Sequence, residues 1–215
     1  MRGRIRTARA TLLVVWGLLA GMFISAGRVQ AKDRPAKGSR VLIVYLSRTQ
    51  NTKAVAEMIR GFTGGELLPI ELETPYPADY KATVAQVAAE NERGYLPPLK
   101  THVDDMSRYD VVFVGFPTWG MQLPPPVKSF LEDHDLRGKI VVPFNTNAGY
   151  GAGDSFSTLK TRCPGSDVRE GLSVRGGAER DGQLLMIKGD RAISVKSEVQ
   201  RWLEKLKLPG IATLK

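Results

Sequence analysis

Cysteine is nearly absent from this chain: Cys163 stands alone in 215 residues, so no internal disulfide can form. Histidine is almost as scarce, with only His102 and His134, and neither HExxH nor CxxC spacing occurs. The usual signatures of a zinc centre or a dithiol couple are therefore missing. So are the two glycine-rich phosphate motifs, GxxxxGK[ST] and GxGxxG. Residues 41–46 hold no acid, which counts against a receiver-type signalling domain, since that needs acids clustered at strand ends. Repeats and low-complexity tracts are also lacking. With 42% hydrophobic and 25% charged residues the composition is that of a folded globule, and disorder is not expected. The length suits one α/β domain.

An absence of charge marks the start of the chain. Residues 11–27 carry none, and they follow Arg2, Arg4, Arg6 and Arg9, with no acid before residue 33. Val29-Gln30-Ala31 and a polar stretch come next. A basic region, an apolar run and an A-x-A-like site predict a secretory signal peptide over residues 1–31, with a linker over 32–39. The address implied is export, to the periplasm. The alternative is an uncleaved membrane anchor, for which seventeen apolar residues are at the short limit. No cysteine follows the run, against a lipoprotein. The five arginines of residues 1–31 supply five of the nine formal positive charges, leaving +4 for the remainder. That is too little and too scattered to imply nucleic acid.

Beyond residue 40 strand and helix patterns alternate. Residues 40–46, RVLIVYL, form a continuous β-branched run, as expected of a strand buried on both faces. A polar turn leads into a helix bearing Val55, Ile59 and Phe62, which Gly61 or Gly64 can stop. Residues 67–72 read as a short edge strand containing Pro69. Residues 81–94 read as a helix ending at Gly94. VVFVGFP at 111–117 is the strongest strand, followed by a helix through Val127, Phe130 and Leu131. A strand at 139–146, a helix to Arg162, a weaker strand at 167–175 and a polar insertion at 176–190 follow. The last helix, to about residue 208, places Val195, Val199, Trp202, Leu203 and Leu206 on one face. Cys163, near the end of a helix, reads as a partly buried structural residue, with a reactive thiol as the alternative. Such alternation predicts a mostly parallel sheet covered by helices on both faces. Ligands then gather where loops leave the carboxyl ends of the strands.

Three of those loops have unusual chemistry. Ser47, Arg48, Thr49, Gln50, Asn51 and Thr52 lie between a buried strand and a helix start. Unpaired N–H groups and the helix dipole favour a phosphate there, and uncharged hydroxyls can donate to it. Plain N-capping is the competing use of the same residues. In the second loop Pro117, Thr118, Trp119 and Gly120 put an indole just past a strand end, where it can cover a flat aromatic ligand or pack over the sheet edge. The third runs through Asn145, Thr146, Asn147, Ala148, Gly149, Tyr150 and Gly151. Its glycines allow close backbone approach and inward N–H groups, and the alternative is a mobile loop without a ligand.

The run VLIVYLSRTQNTKAVAEMI resembles the flavodoxin signature, a strand leading to a hydroxyl-rich loop T/S-x-T-G-x-T. The match places Ser47, Thr49 and Thr52 on the hydroxyl positions and Asn51 on the variable one. TPYPADYKATVAQVAAENERG, FVGFPTWGMQLPPPVKSFLE and PFNTNAGYGAGDSFSTLK are similar to consecutive blocks of bacterial flavodoxin-like proteins, so the likeness spans roughly residues 40–206. It implies a flavodoxin-like three-layer α/β sandwich over 40–208, with a five-stranded parallel sheet of order 2-1-3-4-5. It also implies non-covalent FMN held by the three loops, with Trp119 and Tyr150 on its two faces and glycine-loop N–H groups on its pyrimidine edge. Two departures stand out. Gln50 occupies the usual glycine position, so that turn must be made with a side chain present. The chain also lacks the acidic character of electron-carrier flavodoxins, and fewer acids around the ring should make reduction easier.

The expected function is electron transfer through FMN, to a redox partner protein or a small acceptor. An NAD(P)H-dependent reductase with a quinone acceptor is the alternative, and a flavin-free binding module of the same fold is a third reading. No Arg-Arg pair precedes the apolar run, so export is expected to occur unfolded, with FMN acquired outside.

Overall fold

The computed structural model describes residues 40–211. The signal peptide expected over 1–31, the linker expected over 32–39 and the last four residues of the C-terminal tail expected over 209–215 lie outside this range.

Within it the chain alternates β1 (Val41–Tyr45), α1 (Asn51–Thr63), β2 (Glu66–Pro69), α2 (Tyr80–Arg93), β3 (Val111–Pro117), α3 (Pro125–Asp133) and β4 (Ile140–Asn147). Then come α4 (Ser155–Arg162), β5 (Asp167–Val168), β6 (Leu172–Arg175) and α5 (Gly189–Leu206). The strands form one sheet of order β2-β1-β3-β4-β5, and every pairing is parallel. This is the 2-1-3-4-5 arrangement of the flavodoxin-like fold.

β1 is buried throughout because helices cover both sheet faces. Ile43 and Tyr45 meet Val55 and Ile59 of α1 and Val195, Val199 and Trp202 of α5. Leu42 and Val44, pointing the other way, join Val127 and Phe130 of α3 and Leu159 of α4. Helix ends follow local chemistry. Asp79 caps α2 by accepting from the Ala82 N–H at 2.8 Å, and Gly94 ends it in the left-handed conformation at φ 62°. Pro69 closes β2 on the sheet edge, where its missing N–H removes no ladder bond.

One expectation needs correction. The single strand expected over 167–175 is two short pieces, so the sheet has six strands among the described residues. Both pieces pair with β4, but the offset grows by one residue, from Ile140↔Asp167 to Phe144↔Leu172. Residues 169–171 form a bulge in an edge strand, and Gly171 leaves room there for the Phe156 ring, which a Cβ would approach to 2.8 Å.

Cys163 packs beneath α4 at 4% exposure, and burial pushes its thiol up to about 11. Thiolate is the reactive form, so at pH 8 a thiol reagent should label the folded protein about 100-fold more slowly than the unfolded chain. Labelling at equal rates in a stopped-flow assay would contradict this placement.

The carboxyl ends of β1 and β3 flank the point where strand order reverses. The loops after β1, β3 and β4 all open there.

Candidate functional site

At that point lies a cleft of about 480 Å³, within the roughly 300–1,000 Å³ typical of small-molecule sites. Its walls come from the loops after β1, β3 and β4, from one face of α2, and from Gly177 and Glu179 of the insertion.

The first loop feeds α1. Gln50 takes the glycine conformation at φ 65°, ψ -1°, with its side chain outside the cleft. A left-handed turn with a Cβ costs about 1–2 kcal/mol, and it is accepted here because it aims the start of α1 at the cleft. Among the described residues the N–H groups of Thr49, Gln50, Asn51 and Thr52 have no acceptor. Ser47 does not line the cleft; its Oγ accepts from the Lys53 N–H at 3.2 Å and so caps the helix from behind. The Thr52 and Thr146 hydroxyls lie 2.8 Å apart, so one proton bridges them and the other remains to donate. Thr49 Oγ1 accepts from Asn51 Nδ2 at 2.9 Å and keeps its own proton.

Two expected ligand-binding side chains have other partners. Arg48 reaches the Glu179 carboxylate through Nε at 2.8 Å, and its terminal nitrogens donate to the carbonyls of Pro77 at 2.9 Å and Ala78 at 2.7 Å. The Asn51 amide clamps the insertion: it donates to Leu184 O at 2.6 Å and accepts from the Met186 and Ile187 N–H groups at 3.0 and 3.1 Å. Both residues still line the cleft. Their polar heads hold the wall together.

The second and third loops are joined by a buried amide network. Asn145, fully buried, donates to Phe116 O at 3.1 Å and to Thr118 Oγ1 at 2.9 Å. Asn147 Oδ1 accepts from the N–H groups of Gly149 at 2.8 Å and Gly151 at 3.1 Å. Those two donors, expected to face a ligand, are turned onto a side chain of their own loop. Thr118 Oγ1 donates to Gly151 O at 2.7 Å, and Asp154 N–H donates to Met121 O at 3.1 Å. Consequently Asn145, Gly149 and Gly151 support the cleft from outside it, while Pro117, Thr118, Gly120, Thr146, Asn147 and Ala148 line it.

The two expected stacking residues part company. Trp119 lines the cleft, and its ring meets Tyr76 edge-on with centroids 5.3 Å apart. Tyr150 does not line it: it is 68% exposed, and its hydroxyl is directed toward the Arg180 guanidinium. The loop is pinned by Asn147 so that its tip points to solvent.

Sequence reasoning missed the α2 wall, formed by Tyr80, Thr83, Val84, Val87, Ala88 and Asn91 with Glu92. The signal was present as a stripe at positions 80, 84, 88 and 91, spaced as one helix face. It resembled an ordinary core stripe; the exposure of Val84, at 48%, and of Ala88 shows that the face looks into open space. Behind it Lys128 donates to Asn91 Oδ1 at 2.8 Å, and burial lowers its pKa. The wall acids are Glu92 and Glu179, the latter neutralised by Arg48. No cluster of potential metal ligands exists among the described residues, and no helix there is long and apolar enough to cross a membrane.

No curated protein matches the chain in sequence. Among solved structures, a protein of Bacteroides eggerthii described as a flavoprotein is 29% identical, with a TM-score of 0.64 over 79% of this chain and 99% of its own. A flavoprotein of Lactobacillus acidophilus, solved in complex with FMN, is 26% identical, with a TM-score of 0.56 over 67% of this chain and 98% of its own. The flavodoxin family model matches residues 40–186, most of the described domain. Sheet order, cleft position and this match agree: the chain belongs to the flavodoxin family.

Proposed function

We propose that this protein binds FMN without a covalent bond and passes electrons through it. The observation that carries the reading is the start of α1. Four successive N–H groups, from Thr49 to Thr52, lie there without acceptors among the described residues, beside the hydroxyls of Thr49, Thr52 and Thr146, in the wall of a cleft that Trp119 also lines. Neutral donors and a helix dipole suit a dianionic ester, and the indole suits a flat ring. The FMN complex of the Lactobacillus acidophilus relative supports the same choice.

When bound, FMN supplies one- and two-electron redox chemistry on its ring. The chain's own residues hold and shape. Thr49, Thr52 and the helix-start amides fix the phosphate; the Asn145–Asn147 network keeps the two ring-side loops in register; Trp119 covers one side of the cleft. Few acids oppose negative charge building up on the ring, since Arg48 neutralises Glu179.

The position of Tyr150 favours the reductase as a second reading. A tyrosine outside the cleft leaves one side of a bound ring open to a stacked nicotinamide or a flat acceptor, next to the α2 wall.

Titrating the chain from residue 32 with FMN is the test. A saturable yellow complex with one FMN per chain is expected, together with quenching of flavin fluorescence. No association at millimolar FMN would refute the proposal. NAD(P)H oxidation by that complex with a quinone acceptor then separates reductase from carrier.

A further inference from the structure

Glu90 is a carboxylate at 2% exposure on α2, and it takes part in no ion pair among the described residues. Burying such a group is unfavourable unless hydrogen bonds replace its water. Its two oxygens have one partner each. Oε2 accepts from the Tyr76 hydroxyl, and Oε1 accepts from Gln86 Nε2 at 2.8 Å. Burial, and then the bond to Glu90, raise the Tyr76 pKa well above its ordinary value, so the phenol remains the donor.

The same phenol ring meets the Trp119 indole with centroids 5.3 Å apart and the planes at 90°. Trp119 is half-buried against the core cluster of Val127, Phe130 and Leu159. Its loop is held by the Thr118 N–H donating to Thr146 O at 2.9 Å and the Asp154 N–H donating to Met121 O at 3.1 Å. The Tyr76 ring adds the aromatic contact to the indole. Gly120 and Met121 follow in left-handed conformations at φ 59° and 61°, and an isolated bridge to Gln122 closes the turn. A rigid helix is thus connected through one hydrogen bond and one ring contact to the aromatic wall of the cleft. α2 also lines that cleft directly, through Asn91 and Glu92. Neither Glu90 nor Tyr76 belongs to the two hydrophobic clusters, and the connection meets the core at Trp119, which packs against the cluster of Val127, Phe130 and Leu159.

We propose that Glu90, acting through Tyr76, is the positioning residue that sets the Trp119 indole against the flat ring of the bound ligand. The inference rests on the FMN reading. Glu90 does not touch the ligand; it fixes the phenol, and the phenol fixes the indole. The function required of it is hydrogen-bond acceptance, which an amide oxygen can also provide, and not negative charge.

The test compares Glu90→Ala, Glu90→Gln and Tyr76→Phe with the unaltered protein, each reconstituted with FMN. The readouts are the FMN dissociation constant, the visible circular dichroism of the bound flavin and the thermal midpoint. Visible dichroism reports how the flavin sits against its aromatic neighbour, which a loss of stability alone does not alter. Glu90→Ala and Tyr76→Phe should each weaken FMN binding about tenfold and change the dichroism. Glu90→Gln should keep both within about twofold. The Tyr76→Phe/Glu90→Ala double variant should be no weaker than either single one, since both remove the same link. If Glu90→Ala does not fold, Tyr76→Phe, which removes only a hydroxyl, carries the comparison.

A lowered midpoint with unchanged affinity and dichroism would reduce the pair to a structural tie and overturn the proposal. Equal losses in Glu90→Gln and Glu90→Ala would overturn it too, because charge would then be the active property. An unaltered protein that takes up no FMN would sink the function itself, a result distinct from either.

Discussion

Replacing Gly153 with alanine should lower the free energy of unfolding by about 2–4 kcal/mol, the combined scale of a left-handed backbone and a local overpacking. Gly153 sits at φ 60°, and an added Cβ would fall 2.0 Å from the backbone oxygen of Met121. Backbone cannot rotate out of the way as a side-chain tip can. The same oxygen accepts from the Asp154 N–H at 3.1 Å, so relieving the clash breaks one of the two bonds that join the Trp119 loop to the glycine loop, leaving Thr118 Oγ1 to Gly151 O. FMN binding should weaken along with stability. Gly64→Ala is the control: φ is 68° there, but nothing lies within 4 Å of the new Cβ. It should lose only about 1 kcal/mol, from the backbone conformation alone. Urea unfolding of the two variants measures the difference. Equal midpoints would show that the loops are free to separate.

FMN should bind at least about 1,000-fold more tightly than riboflavin, which has the same ring and no phosphate. Hydrogen bonds to a charged group contribute about 1.5–3 kcal/mol each, so two or three retained at the start of α1 give about 4 kcal/mol, or three decades in affinity. Thr49–Thr52 offer more donors than that, and no protein acceptor competes for their N–H groups among the described residues. Arg48 is engaged by Glu179, Pro77 and Ala78, so the discrimination should come from neutral donors. Parallel calorimetric titrations give the ratio. A riboflavin constant within tenfold of the FMN constant would place the phosphate elsewhere and remove the role given to this loop.

Legibility in the sequence followed burial. β1, β3 and the first five residues of β4 read as strands because residues covered on both faces are apolar in succession and rich in β-branched side chains. α1 and α5 read as helices from stripes that do enter the core, Val55 with Ile59 and Val195 with Val199 and Trp202. The β5–β6 edge was harder. It is short, half exposed and bulged, so little apolar periodicity is left to mark where one piece ends and the next begins.

The cleft was legible at the level of loops and much less at the level of atoms. Local chemistry determined that hydroxyls, an indole and glycines would leave the carboxyl ends of β1, β3 and β4. Which polar atoms remain available depends on partners far away along the chain. Asn51 is engaged by Leu184, Met186 and Ile187, and Arg48 by Glu179. Those separations exceed a hundred residues, and no window of sequence contains both ends. The Gly149 and Gly151 N–H groups are closer to their acceptor, Asn147, yet which way they turn is a torsional choice that glycine leaves open.

By itself, then, the sequence determined the strand–helix alternation, the parallel sheet and the loops on which a phosphate and a flat ring could rest, since each follows from burial or from the first turn of a helix. Tertiary structure alone decided that Tyr150 faces solvent, that α2 supplies the longest wall and that Glu90 reaches Trp119 through Tyr76. The physical reason is that exposure and hydrogen-bond pairing are properties of what lies opposite in space, and the fold chooses that neighbour without regard to distance along the chain.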